Sequence, residues 1–492
     1  MSKLKYFLIF LVLAITTFTH LYRIDKTFVF HNDEGRDALI AYRMIDTHVP
    51  VLLGPETSVG NMYLGPFYYY LMVPSLILSG LNPVGPAIMV ALFGIFTTLG
   101  IIYLGRKYGN ISAGIVGGMF YALSPVMLHY SRSSWNPNVI PFFIVLLLIN
   151  AKSISKWKPI FFGIITGIIF QLHYVALILP GLLFLQEIWQ HYKAKTIRKL
   201  PRYLLIVFFG FIVSSAPFWL FEARHSFVNV KAFGTYLAQK SISTQTNYPS
   251  YLSRVTNNTK TVISGMIASQ SVSSTIMTNW AIFLVGAILL IYCLTNLQKL
   301  GYVMIGSILI VSLLKESIYV HYLAFLFPIV SLVIGFAATK GKWLSIFTII
   351  FLVTMILPTY KALVYNLYEK TSIQTVRAKN VSDYIVKKAA GRPYNVVNTQ
   401  GSYTTTISYY LAISSNPPSN DLQTLVYDIC ENGPCPQDDE STVLLFLTGP
   451  AHPAIAAYLG HPQINEFNGP RTMLTNEWVT YDIYVSTIEL KP

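Results

Sequence analysis

The sequence predicts a polytopic α-helical membrane protein with a small extracytoplasmic α/β domain at its C-terminal end. Three observations predict it. Of 492 residues, 53% are hydrophobic and only 11% are charged, and the mean hydropathy is +0.51. A soluble domain carries roughly 25% charged residues, so this chain cannot cover a water-facing surface and holds more apolar side chain than one globular core buries. The apolar residues fall in successive runs near hydrocarbon length, and the short loops between alternate runs collect Lys and Arg. An ordinary soluble enzyme, a disordered chain and a disulfide-built secreted domain are excluded. The balance of 35 basic against 21 acidic residues, net +14, needs no nucleic-acid partner, because cations flanking membrane helices set orientation and raise the pI unaided.

The first run, 6–22, follows Lys3 and Lys5 and meets no small-x-small cleavage site before Arg23. It reads as a retained helix with a cytoplasmic N-terminus. Residues 23–62 form a polar first outer loop. The run 63–79 contains Tyr63, Tyr68, Tyr69 and Tyr70 with Pro66 and Pro74, which suits a surface-lying segment better than a span. Charge decides the matter. If 63–79 does not cross, 86–104 runs inward to Arg106 and Lys107, and 111–128 returns. The run 139–150 then delivers Lys152, Lys156 and Lys158 to the cytoplasm, and a hairpin of 161–169 and 175–189 ends at Lys193, Lys195, Arg198, Lys199 and Arg202. Were 63–79 to cross, all these basic loops would face outward, against the positive-inside bias. The run 203–220 leads to a second outer loop, 221–274. Spans at 276–294, 302–314, 319–337 and 343–358 follow, with Lys299, Lys340 and Lys342 on inner turns. The expected total is about eleven spans, N-terminus inside and C-terminus outside.

Residues 1–360 therefore read as the membrane domain and 361–492 as the external one. The external part alternates: an amphipathic helix at 365–390, a strand at 394–398, a helix at 405–413, a strand at 443–448, a helix at 454–459 and a strand at 479–488. Such alternation indicates a small α/β domain. Cys430 and Cys435 frame a Gly-Pro turn where an external disulfide would staple a loop. Cys293 falls inside a span and packs. No C-x-x-C pair exists, so no zinc or redox motif is expected.

Chemistry is concentrated on the outer face. The cluster His31-Asn32-Asp33-Glu34-Gly35-Arg36-Asp37 follows the first run by a few residues. Adjacent carboxylates point in different directions, so one can reach a substrate while its neighbour holds structure. A carboxylate at the membrane edge should have a perturbed proton affinity, which suits a general base. Arg36 can set a planar guanidinium against a phosphate. The plainer reading of such a charge run is a solvated loop. A second polar spot, 129–138, contains Arg132, Trp135, Asn136 and Asn138; there an arginine near headgroup depth either binds lipid phosphate or merely snorkels. The third, around Lys315, Glu316, His321 and Tyr322, lies where charges at span ends cost little. His173 in a short outer turn is similar but weaker. Asp438-Asp439-Glu440 lacks metal-ligand spacing, because three adjacent acids cannot all aim at one ion. The spans themselves are nearly free of ionisable groups, whereas an ion-coupled transporter places such groups at the midplane. An enzyme opening at the outer membrane surface fits better.

Asp33-Glu34-Gly35-Arg36-Asp37-Ala38, Tyr63-Leu64-Gly65-Pro66-Phe67-Tyr68-Tyr69-Tyr70-Leu71, Ser131-Arg132, and His321-Tyr322-Leu323 with Pro328 occur in that order. Together they resemble landmarks of the GT-C superfamily of polyprenyl-phosphate-sugar glycosyltransferases, in its protein O-mannosyltransferase and aminoarabinose-transferase branch. The resemblance covers about the first 360 residues in topology. It implies a multi-pass plasma-membrane enzyme that moves a sugar, mannosyltransferase-like, from a polyprenyl phosphate to an acceptor hydroxyl with inversion, among membrane lipids and at the extracytoplasmic face. By the same resemblance Asp33 is the base, Glu34 assists it, and Arg36 and Arg132 hold the donor phosphate. His31, Asp37, Tyr63, Asn136, His321 and Tyr322 complete the expected lining. Two departures stand out: Asn61-Met62-Tyr63 occupies the place of a frequent family Lys or His, and Asn136 and Asn138 stand near a frequent Asp. No obligatory metal or other cofactor is therefore expected. The competing readings are a lipid-linked glycan flippase, and a catalytically inactive homologue acting as a scaffold.

Overall fold

The computed structural model describes residues 2–57, 62–242, 249–267, 286, 288, 291–296, 298–314, 318–339, 341–354, 356–400, 404–435, 444–445, 466–467 and 469–491. They fall into two compact units. One comprises Met1–Thr27, Leu52–Tyr68 and Ala87–Lys370, the other Phe28–Val51, Tyr69–Pro86 and Thr371–Pro492.

The first unit is helical. Among the described residues three helices are long and apolar enough to cross a membrane: Lys3–Leu21, Val84–Lys107 and Val320–Thr339. Other apolar runs are built as shorter pieces, and proline explains the breaks. The helix Ile111–Leu123 stops at Ser124, because the residue before Pro125 is driven out of the helical region; a new turn, Pro125–Tyr130, restarts on that proline. Pro137 and Pro141 sit at the starts of the 3₁₀ turn Asn136–Val139 and the helix Ile140–Ala151. Ile197–Ser214 and Ala216–Arg224 meet at a 76° bend, where Pro217 removes an N–H and Ser215 turns its hydroxyl back to the Phe211 carbonyl at 2.6 Å. Phe67–Leu78, with Pro74 inside it, has 12 residues. At 1.5 Å per residue it is roughly 18 Å long, against about 30 Å of hydrocarbon. The expected span 276–294 falls largely outside the described residues, as do Lys315 and Glu316.

Helices here approach closely through small residues, as they do where lipid gives no hydrophobic drive. A Cβ on Gly335 would lie 1.9 Å from the Ala113 carbonyl oxygen, and one on Gly117 2.5 Å from that of Ser331. The helices Ile111–Leu123 and Phe327–Thr339 thus touch backbone to backbone, and Asn110 Nδ2 closes one end on Thr339 Oγ1 at 2.9 Å.

The second unit holds a four-stranded sheet of order β1-β2-β6-β5, with β1 Asn395–Gln400, β2 Leu425–Glu431, β5 Arg471–Thr480 and β6 Ile483–Leu490; the short strands β3 Leu444–Leu445 and β4 Glu466–Phe467 pair separately. β1 and β2 are parallel, joined through the helix Thr404–Ala412, and the other pairs are antiparallel. The helix Ile373–Ala389 supplies Val381 and Ile385 to a core with Val396, Tyr427 and Val485.

Three expectations change. The helix expected at 365–390 is a π turn, Tyr365–Glu369, then extended backbone at Lys370, then Ile373–Ala389. The strand expected at 479–488 is a hairpin, because Tyr481 takes a left-handed φ of 46° and turns the chain between β5 and β6. β2 was not anticipated: all seven of its residues are buried, so a central strand leaves no alternation to read. The strand expected at 443–448 is described only at Leu444–Leu445, and the helix expected at 454–459 lies outside the described residues. Cys430 and Cys435 are joined in a disulfide, Cα to Cα 5.2 Å, and Cys293 is free and buried.

Candidate active site

The acidic cluster folds as the start of the helix Asn32–Thr47. The Glu34 carboxylate, on a buried residue, accepts the His31 N–H at 3.0 Å. This reach back over the first turn satisfies a donor that the helix leaves free, and it explains why an acid is needed three residues after the cap. Glu34 is thereby occupied in building the helix end. His31 is exposed.

Residues one turn apart share a face, and that spacing assembles Asp33, Arg36 and Asp37. Arg36 lies 3.0 Å from Asp33 Oδ1 through one terminal nitrogen and 2.8 Å from Asp37 Oδ1 through the other; its Nε also donates to Asp37 Oδ1 at 2.9 Å. The Tyr69 hydroxyl donates to the same Oδ1 at 3.2 Å. Asp37 Oδ2 is buried without a hydrogen-bond partner among the described residues. Exposure separates the two acids: the Asp33 side chain is 48% exposed and that of Asp37 0%. Of the two acids, Asp33 is the one open to solvent.

Electrostatics follow burial. Desolvation pushes Asp37 up to about 6; the Arg36 cation pulls it back, and the Asp33 and Glu34 charges add to the rise. Desolvation opposes the Arg36 charge, yet Asp37, Tyr69 and Asp33 hold its proton more firmly than usual.

The remaining candidates belong to the other unit. Arg132 is buried, and its terminal nitrogens donate to the carbonyls of Thr19 at 3.0 Å, His20 at 3.1 Å and Tyr22 at 2.8 Å, and to the Thr27 hydroxyl. These are the carbonyls that the helix Lys3–Leu21 leaves unpaired at its end, so the guanidinium serves as a cap. The buried Tyr63 donates its N–H to Asn229 Oδ1 at 2.7 Å, and its carbonyl accepts from the Tyr174 hydroxyl. Asn136 Nδ2 donates to the Leu172 carbonyl at 2.7 Å. His321 sits in a ring cluster, 4.4 Å from Trp135, 4.5 Å from Tyr322 and 6.3 Å from His173. Burial, with His321 beside it, pushes His173 down to about 3.

Sequence reasoning missed Tyr69 as the partner of Asp37. Its only signal was a tyrosine-rich run, which names no single residue. The family resemblance implies Arg132 as a phosphate ligand, and a cap reached across more than a hundred residues leaves no local pattern that would point to it instead.

For a metal, the ligand atoms of Asp428, Cys430 and Cys435 lie within 4.8 Å of one another, the one such grouping among the described residues. The two sulfurs are bonded to each other and so are not thiolate ligands. Asp438-Asp439-Glu440 lies outside the described residues.

No family model and no curated protein matches the chain. Solved structures do. ArnT from Cupriavidus metallidurans in the apo state superposes with a TM-score of 0.60 at 12% identity, over 98% of this chain and 97% of that one. The same ArnT bound to undecaprenyl phosphate gives 0.56 at 12% identity, with the same coverage. Arabinofuranosyltransferase AftD from Mycobacteria gives 0.51 at 13% identity; the match covers 100% of this chain but 40% of AftD. The chain shares its fold with ArnT over nearly the whole length of both chains.

Proposed function

We propose that this protein is an integral membrane glycosyltransferase that moves a sugar from a polyprenyl phosphate to an acceptor hydroxyl, with inversion, at the extracytoplasmic face. The observation that carries the reading is the half-exposed Asp33 carboxylate held 3.0 Å from Arg36 at the start of a helix, on a chain with the fold of ArnT. Asp33 takes the acceptor's proton as its oxygen attacks the anomeric carbon. The bond from that carbon to the phosphate oxygen breaks, and the departing phosphate draws Arg36 toward its growing charge. Arg36 alone is given to the phosphate, since Arg132 caps a helix. Glu34 assists by fixing the backbone under Asp33. His31, Asp37, Tyr63, Asn136, His321 and Tyr322 remain the proposed lining. About eleven spans with the N-terminus inside, a membrane domain at 1–360 and an external domain at 361–492 belong to the same proposal.

The test is reconstitution in liposomes with a panel of undecaprenyl-phosphate-linked monosaccharides, mannose first, and with hydroxyl-bearing peptide, lipid and glycan acceptors. Wild type is expected to release undecaprenyl phosphate from one of them, and Asp33→Asn to lose at least about 100-fold in kcat while still binding the donor. Unchanged turnover in Asp33→Asn removes the base. A wild type inert across the panel favours the scaffold, and lipid translocation without cleavage favours the flippase.

A further inference from the structure

The C-terminal segment 371–492 reaches the helix that bears Asp33, and it does so at the turn where Asp33 sits. A Cβ on Gly35 would lie 2.7 Å from Thr406 N, 2.9 Å from Thr405 C and 2.9 Å from Thr406 Cα. All three are backbone atoms that cannot swing aside, so only hydrogen fits between the helices Asn32–Thr47 and Thr404–Ala412. Thr405 Oγ1 donates to the Asn32 carbonyl at 2.6 Å and lies 3.3 Å from Asn32 Oδ1. Asn32 is the immediate neighbour of Asp33. Just upstream, Phe30 meets Tyr409 and Tyr410 edge-on at 5.8 and 6.2 Å, and Ser372 Oγ donates to the Phe28 carbonyl at 3.2 Å. The buried Tyr409 in turn donates its hydroxyl to the Leu81 carbonyl at 2.6 Å.

A general base works only within hydrogen-bond reach of its proton, and about half an ångström of misplacement is felt. Glu34 fixes the first turn from inside the helix. Thr405 fixes it from outside, one residue away from the carboxylate.

We propose that the helix Thr404–Ala412 positions Asp33 for proton transfer, with Thr405 and Gly35 as the positioning residues, so that the external domain is a working part of the catalytic end. This rests on the reading of Asp33 as the base.

The experiment compares Thr405→Val, which keeps the shape and loses the donor, with Thr405→Ser, which keeps the donor. The reconstituted full chain is used with whichever undecaprenyl-phosphate sugar wild type consumes, and Asp33→Asn runs alongside. Thr405→Val is expected to lose about tenfold in kcat, with donor KM and thermal midpoint held, and Thr405→Ser to return within about twofold of wild type. Gly35→Ala should lose at least as much kcat. Its fold is checked by thermal midpoint, and the threonine pair decides if it fails to fold. Thr405→Val at wild-type kcat overturns the proposal, as does a loss that Thr405→Ser does not repair or one that tracks the thermal midpoint. If Asp33→Asn is inactive while Thr405→Val is not, only this inference falls; if wild type is inert or Asp33→Asn is active, the parent reading falls first and takes this one with it.

Discussion

At the scale of single residues, two neighbouring acids have been given opposite environments. Asp33 stands half in water, and Asp37, one turn on, is shut away with Arg36 and Tyr69. The ordinary aspartate value is about 3.9, and burial lifts Asp37 to about 6. The folded chain therefore binds that proton more tightly than the unfolded chain does. The stability this contributes is complete below about pH 4 and is lost as pH rises through about 6. The thermal midpoint of wild type in detergent is expected to fall between about pH 4 and 6, and Asp37→Asn, which cannot ionise, to lack that limb. An identical limb in the variant would mean that another group titrates there. Arg132 makes the complementary point. Arginine near a lipid headgroup reads as a phosphate ligand, yet here its terminal nitrogens meet three backbone carbonyls and one hydroxyl.

At the scale of elements, proline and glycine set the architecture more than hydropathy does. Apolar runs that look continuous are cut at Pro125, Pro137 and Pro217, which is why only three helices reach span length among the described residues. The helices Ile111–Leu123 and Phe327–Thr339 touch because Gly117 and Gly335 present no side chain. Gly335→Ala would drive a methyl to within 1.9 Å of the Ala113 carbonyl oxygen. Such overpacking costs about 1–3 kcal/mol, and a thermal midpoint several degrees below wild type is the expected measurement. An unchanged midpoint would show that this contact yields without cost. In the second unit, β2 and the β5–β6 hairpin escaped the sequence for a related reason. Burial on both faces erases alternation in the one, and a turn carried by Tyr481 and Asp482 lacks the usual glycine or asparagine in the other.

At the scale of the whole molecule, the basic loops imply an orientation that labelling can read. His48 ends the acidic helix and is exposed, and Ile154 is fully exposed in the turn before the helix Lys158–Leu172. In intact cells a membrane-impermeant maleimide is expected to modify His48→Cys and to reach Ile154→Cys only after permeabilisation. The background is quiet, since Cys293 is buried and the other two cysteines are bonded. The reverse pattern would turn the active site to the cytoplasm and end the proposal. By itself the sequence determined the membrane class, the surface-lying run at 63–79 as an expectation, and the Asp33–Arg36 spacing, because hydropathy, charge bias and helical period are properties of neighbours along the chain. Tertiary structure alone decided that Asp37 is buried under Tyr69, that Arg132 caps the opening helix, and that Thr405 reaches Asn32. Each of these joins residues that only folding brings together, and a hydrogen bond across dozens or hundreds of residues has no signature in local pattern.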